Sequence, residues 1–117
     1  MEKYNGPERR KYPRLNANFI VSYRAKDPSS SFDLSQTKDV GQGGLLFTAN
    51  KKIEPGTTLV MTIRFPFIPD KLELTGQVVN SQEKVKGLIY ETHIQFKDSD
   101  EALIRKIGDF IRKEINK

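Results

Sequence analysis

Residues 58–65 read Thr58-Leu59-Val60-Met61-Thr62-Ile63-Arg64-Phe65, and this stretch decides the fold class. Leu59, Met61, Ile63 and Phe65 hold every second position, so all four project to one side of an extended chain. A strand with one apolar and one mixed side suits an antiparallel sheet. Strands of parallel sheets are covered on both faces and read as unbroken apolar runs. Toward the C-terminus, Pro66-Phe67-Ile68-Pro69-Asp70-Lys71 is a proline-bounded connection. Residues 72–80 (LELTGQVVN) alternate again, with Leu72, Leu74, Gly76 and Val78 on one face. Gly76 inside a strand marks a bend. Residues 81–87 (SQEKVKG) read as a polar turn. Residues 88–96 (LIYETHIQF) form the last strand, with Leu88, Tyr90, Thr92, Ile94 and Phe96 on one face. Then the period changes. Leu103, Ile104, Ile107, Phe110, Ile111 and Ile115 recur at threes and fours, which predicts one amphipathic helix over about residues 99–116. Asp98 or Ser99 can cap it, and Asp100 and Glu101 suit its first turn, where the helix dipole favours anions.

Toward the N-terminus, Pro55-Gly56 forms a good type II turn pair within 50–57. Residues 45–49 (LLFTA) and 32–40 (FDLSQTKDV) read as strands, separated by the glycines of Gly41-Gln42-Gly43-Gly44. Asp27 to Ser31 is a loop. Residues 17–26 (ANFIVSYRAK) are a strand with Phe19, Val21 and Tyr23 on one face. Residues 1–16 are polar, contain Gly6, Pro7 and Pro13, and follow neither period, which predicts a mobile arm. Residues 17–117 are then one mainly β domain of about six short antiparallel strands and a C-terminal helix. Short strands with hairpin-length connections favour a small closed barrel or a sandwich, with the helix over one end or face.

The chain has 117 residues and a formal net charge of +5. Residues 1–26 hold seven bases and two acids, whereas residues 27–117 hold thirteen of each. The excess therefore belongs to the arm and first strand, which suggests a local anion-binding element on a neutral body. Cysteine is absent, which removes disulfides, thiolate metal sites and cysteine nucleophiles. His93 is the single histidine, so a multi-histidine metal site and a two-histidine acid/base pair are impossible within one chain. No apolar run exceeds three residues, far below the roughly 18 needed to span a bilayer, so no membrane insertion is expected. No secretory signal is visible at the N-terminus, and a cytoplasmic location is expected.

Two clusters could carry chemistry. The first is Glu8-Arg9-Arg10-Lys11-Tyr12-Pro13-Arg14, in which Pro13 forbids a regular helix between Arg10 and Arg14. Guanidinium groups suit phosphates and fork onto the O6/N7 edge of guanine. The second is Asp39-Val40-Gly41-Gln42-Gly43-Gly44, where glycines let backbone approach a ligand closely and Asp39 offers a carboxylate to N–H donors. Neither cluster alone is specific: a basic tail is more often a solvated arm, and a glycine-rich turn more often structural punctuation than a binding loop.

In this order, on this strand pattern, the two clusters resemble the PilZ domain family. The family's RxxxR motif matches Arg10-Lys11-Tyr12-Pro13-Arg14, preceded by Arg9. Its [D/N]xSxxG motif matches Asp39-Val40-Gly41-Gln42-Gly43-Gly44. The resemblance covers about residues 8–115. It implies a six-stranded antiparallel β-barrel with a C-terminal α-helix and a flexible N-terminal arm. It also implies a receptor for cyclic di-GMP, a bacterial second messenger, with no enzymatic activity and no cofactor beyond that ligand. Carried over, Arg10 and Arg14 contact phosphates and guanine, and Arg9 adds phosphate or stacking contacts. Asp39 accepts from a guanine Watson–Crick edge, Gly44 gives the base room, and Gly41 and Gly43 are further ligand-binding positions. An unidentified protein effector reads the ligand-bound surface of a monomer or weak dimer.

Two departures matter. Gly41 stands where the motif has serine, so a hydroxyl is missing. An ordinary hydrogen bond contributes about 0.5–1.5 kcal/mol and one to a charged group about 1.5–3 kcal/mol, so the loss corresponds to roughly tenfold weaker binding or more. His93 lies three residues before Phe96, where the family often has glycine. It reads either as a solvated strand histidine or as a side chain that stacks on or hydrogen-bonds to guanine. Two further functions fit the sequence: a PilZ-fold protein-interaction adaptor with weak or lost cyclic di-GMP binding, and a small barrel binding single-stranded nucleic acid through its arm. The neutral body makes nucleic acid the unlikely partner.

Overall fold

The apolar side of residues 58–65 faces inward: Leu59, Met61, Ile63 and Phe65 are each at most 2% exposed. In the computed structural model, residues 14–27, 29–65, 71–97 and 101–116 are described. The strands are β1 (Arg14–Asn16), β2 (Ile20–Ala25), β3 (Asp33–Gly41), β4 (Gly44–Ala49), β5 (Thr58–Ile63), β6 (Leu72–Val85) and β7 (Ile89–Lys97), followed by helix α1 (Glu101–Ile115). All pairings are antiparallel. The order β3-β2-β5-β6-β7-β4 closes through a β3–β4 pairing into a six-stranded barrel. β1 stands outside this ring. It pairs with the far end of β3, Arg14 opposite Gly41 and Asn16 opposite Asp39, in line with β2 on the same edge.

The interior is built from alternate residues of every barrel strand, among them Val21, Val40, Phe47, Met61, Val78 and Ile94. Helix α1 covers one end. Its Ile107 and Ile111 are buried, and Phe110 packs near Phe19, which in turn meets Phe65 edge-on at 5.4 Å. Buried polar groups are paired. Thr37 Oγ1 accepts from the Phe19 backbone N–H at 2.9 Å and donates to the Ala17 carbonyl at 2.6 Å, which pins the link between β1 and β2. The buried Thr92 hydroxyl meets Ser81 Oγ at 3.1 Å. Gly76 is needed for packing, because a Cβ there would lie 2.3 Å from Ile94 Cγ2.

Several boundaries differ from the sequence reading, among them the start of the strand expected over 17–26, which begins at Ile20. The last three residues of the expected arm, Arg14–Asn16, are strand β1, because β3 extends past β2 and leaves an edge to pair. β6 runs on to Val85 rather than ending at Asn80, and its ladder continues to Val85 opposite Ile89. That extension projects beyond the core, is mostly exposed, and therefore lacks apolar alternation. The turn is shifted to Lys86-Gly87-Leu88, with Gly87 at φ +70° and Leu88 65% exposed rather than in the strand. Gly41 and Gly44 are strand residues, which leaves Gln42-Gly43 as the turn. The expected helix caps Asp98 and Ser99 lie outside the described residues.

Candidate functional site on the outer barrel wall

A bulge in β3 between Thr37 and Asp39 resets the strand's register just before the glycine turn. Beyond it, Asp39 pairs with Leu46 of β4, and Leu46 pairs with His93 of β7. Residues directly opposite one another share a face, so the three form a row across the outer wall. Their neighbours Val40, Leu45 and Ile94 point into the core. Two strand spacings, about 10 Å, separate the ends of the row.

Arg14 spans this row from β1. Its Nη1 donates to Asp39 Oδ1 at 2.6 Å, and its Nη2 lies 2.6 Å from His93 Nε2. The Arg14 and Asp39 side chains are 14% and 19% exposed, so water screens the pair less than an ordinary surface ion pair. Arginine has only donors. The short contact therefore requires His93 Nε2 to accept, which fixes a neutral imidazole with its proton on Nδ1. Lys38 and Glu91 form an ion pair of 2.9 Å between the neighbouring positions of β3 and β7.

The glycine turn beside the row has structural duties. A Cβ on Gly44 would lie 2.0 Å from the Ile94 carbonyl oxygen, so only glycine lets β4 close onto β7 there. Gly43 accepts a hydrogen bond from the Phe96 backbone N–H at 2.9 Å. The Gln42 side chain rests on α1, where a Cβ on Gly108 would lie 2.2 Å from its Oε1. The turn is thus held between the barrel and the helix.

Of the predicted site residues, Arg14 meets both Asp39 and His93 directly, with Gly41, Gly43 and Gly44 in the adjoining turn and strand ends. Arg9 and Arg10 lie outside the described residues. Sequence reading missed Leu46, the apolar centre of the row. Its signal is an outward leucine between inward Leu45 and Phe47. It also missed that Arg14 and His93 touch, since no local pattern joins positions 79 residues apart. A hollow of about 570 Å³ lined by Arg24, Lys51, Lys52 and Ile53 lies toward the opposite end of the barrel, away from this cluster. Among the described residues, no group of three acidic or histidine side chains is placed to hold a metal ion. Also among them, no helix is long and apolar enough to cross a membrane.

Such a cluster equips a small barrel to present a guanidinium fork and a carboxylate acceptor on its outer wall, rather than inside a cleft. A family model for the PilZ domain matches residues 8–113, and the chain belongs to that family. Its structure resembles the Bacillus subtilis inhibitor of motility, MotI/DgrA, with a TM-score of 0.76 and 16% identity over 94% of this chain and 53% of that one. The PilZ domain of YcgR from Escherichia coli, solved with c-di-GMP, gives 0.69 and 14% identity, covering 91% of both chains. The K. pneumonia MrkH–c-di-GMP complex gives 0.68 and 18% identity over 92% of this chain and 53% of that one. This chain therefore spans about half the length of the MotI and MrkH chains. No curated protein matches it in sequence.

Proposed function

We propose that the chain is a cyclic di-GMP receptor that signals by a change in its N-terminal arm rather than by catalysis. The observation that supports this most is the placement of Arg14 from the RxxxR motif against Asp39 from the second motif, on the outer wall beside the glycine turn. In this reading the ligand takes over Arg14, and Arg9 and Arg10 close over it from the residues that precede β1. Asp39 accepts from a guanine edge. A protein effector then reads the rearranged surface in the cytoplasm. Solved complexes of YcgR and MrkH with c-di-GMP, on the same fold, support the choice of ligand. Titration calorimetry tests it: wild type binds saturably, and Arg10→Ala or Arg14→Ala abolishes the signal. Micromolar binding unaffected by both substitutions sinks the site.

A second reading, a PilZ-fold adaptor that has lost useful affinity, is favoured by one observation. Gly41 carries no hydroxyl at the serine position of the motif. Amide shifts during a titration to high micromolar ligand separate the two. Saturable shifts at Arg14, Asp39 and Gly41 reject the second reading.

A further inference from the structure

Arg14 makes its short contact to His93 only while His93 is neutral, because arginine cannot accept a hydrogen bond and imidazolium cannot offer a lone pair. Protonating His93 would replace an acceptor by a cation 2.6 Å from a guanidinium. The resting position of Arg14 thus depends on two acceptors, Asp39 and neutral His93. We propose that His93 is a positioning residue for Arg14 and that it makes ligand binding proton-linked: cyclic di-GMP binds more tightly as pH falls through the histidine range. This rests on the receptor reading above.

The sign follows from the charges on either side of the exchange. Without ligand, the Arg14 cation faces His93 and disfavours its protonation. With ligand, Arg14 turns to the phosphates or guanine, and a doubly anionic molecule lies beside the imidazole. The protonated form is then favoured. Binding takes up a proton wherever the two states differ in protonation, and affinity rises as pH falls, by at most tenfold per pH unit for one site. The effect levels off above and below that window. Asp39 faces His93 from β3 through Arg14, Glu91 lies two positions back on β7, and Lys38 of β3 pairs with Glu91. From β6, the facing residue is the neutral Asn80, and from β4 it is Leu46. Of these groups, only His93 ordinarily titrates between pH 5.5 and 8.

The test uses the full chain and His93→Gln. Glutamine Oε1 can still accept from Arg14, but it cannot take a proton. Calorimetry between pH 5.5 and 8, in buffers of different ionisation heat, reads affinity and proton uptake together. Wild type should gain affinity toward acid with uptake of up to one proton, while His93→Gln binds with neither slope nor uptake. A flat wild-type profile, or an equal slope in His93→Gln, overturns the inference and leaves the receptor reading standing. No binding at any pH overturns the receptor reading itself. Nitrogen-15 spectra of the ligand-free protein give an independent check. A proton on Nδ1 with Nε2 accepting is required, and a proton on Nε2 overturns the inference whatever the ligand does.

Discussion

Two glycines of one motif carry opposite predictions. Gly44 is buried against the β7 backbone, and Gly44→Ala forces a Cβ to 2.0 Å from a carbonyl oxygen. Backbone cannot yield as a side-chain tip can, so we expect a loss of at least about 2–3 kcal/mol in a denaturant melt. Gly41 differs. Among the described glycines, positive φ belongs to Gly56 and Gly87, so no left-handed backbone reserves position 41 for glycine. Gly41→Ser should restore the motif hydroxyl and tighten cyclic di-GMP binding about tenfold. Equal affinity in calorimetry would show that the hydroxyl contributes nothing here. The motif positions were legible in the sequence, but their division of labour was not. The clash at Gly44 depends on β7, 50 residues away in the chain. His93 was legible as an outward residue from alternation alone, yet its partner came only from the closing of β4 onto β7.

At the scale of elements, the strands with one buried face were read nearly to their ends. Residues 58–63 and 72–78 alternate because one side meets the core. Legibility failed where that cause was missing. β1 is three residues long behind a proline and is held by pairing with β3, not by its own pattern. The outer half of β6 is exposed along most of its length, so polarity there carries no period. Its hairpin is instead held by local bonds: Glu83 Oε2 accepts from the Gly87 N–H at 2.9 Å and from the Tyr90 hydroxyl at 3.1 Å. The helix was plain from its spacing, and its role follows from burial. Ile111 is 1% exposed at the barrel end. Ile111→Ala should cost about 2–5 kcal/mol. A cost below 1 kcal/mol in chemical unfolding would mean that α1 is not part of the cooperative core. α1 also touches β1 and β3 and supports Gln42 of the glycine turn. Loosening it should therefore reach the site.

The net charge of +5 lies within residues 1–26, and residues 27–117 carry equal numbers of acids and bases. The molecule's acid–base behaviour separates into two ranges. At alkaline pH the fold is sensitive to Tyr23, whose pKa is raised by burial and then by the Asp33 carboxylate. A raised pKa means that the folded state holds the phenol proton more tightly than the unfolded chain does. Stability from Tyr23 is therefore complete below pH 10 and is lost as pH rises through the folded-state value. Tyr90 acts with the same sign, through its hydrogen bond to Glu83, from an exposed place on the hairpin. Tyr23→Phe should flatten the fall of thermal stability above pH 10, and an unchanged slope would remove Tyr23 from that role. In the neutral range, the proposed link to pH is ligand binding through His93.

The barrel fold rests on inward residues distributed over all strands, whereas the proposed function converges on a single side chain. Arg14 ends the RxxxR motif, lies in β1, and touches both Asp39 and His93. The most direct measurement is a calorimetric titration of wild type and Arg14→Ala with cyclic di-GMP at constant pH and salt. Reception through this site predicts saturable wild-type binding that falls more than a hundredfold on substitution, as expected when two charge-assisted hydrogen bonds of about 1.5–3 kcal/mol each are lost. Binding of equal affinity in both proteins would contradict it.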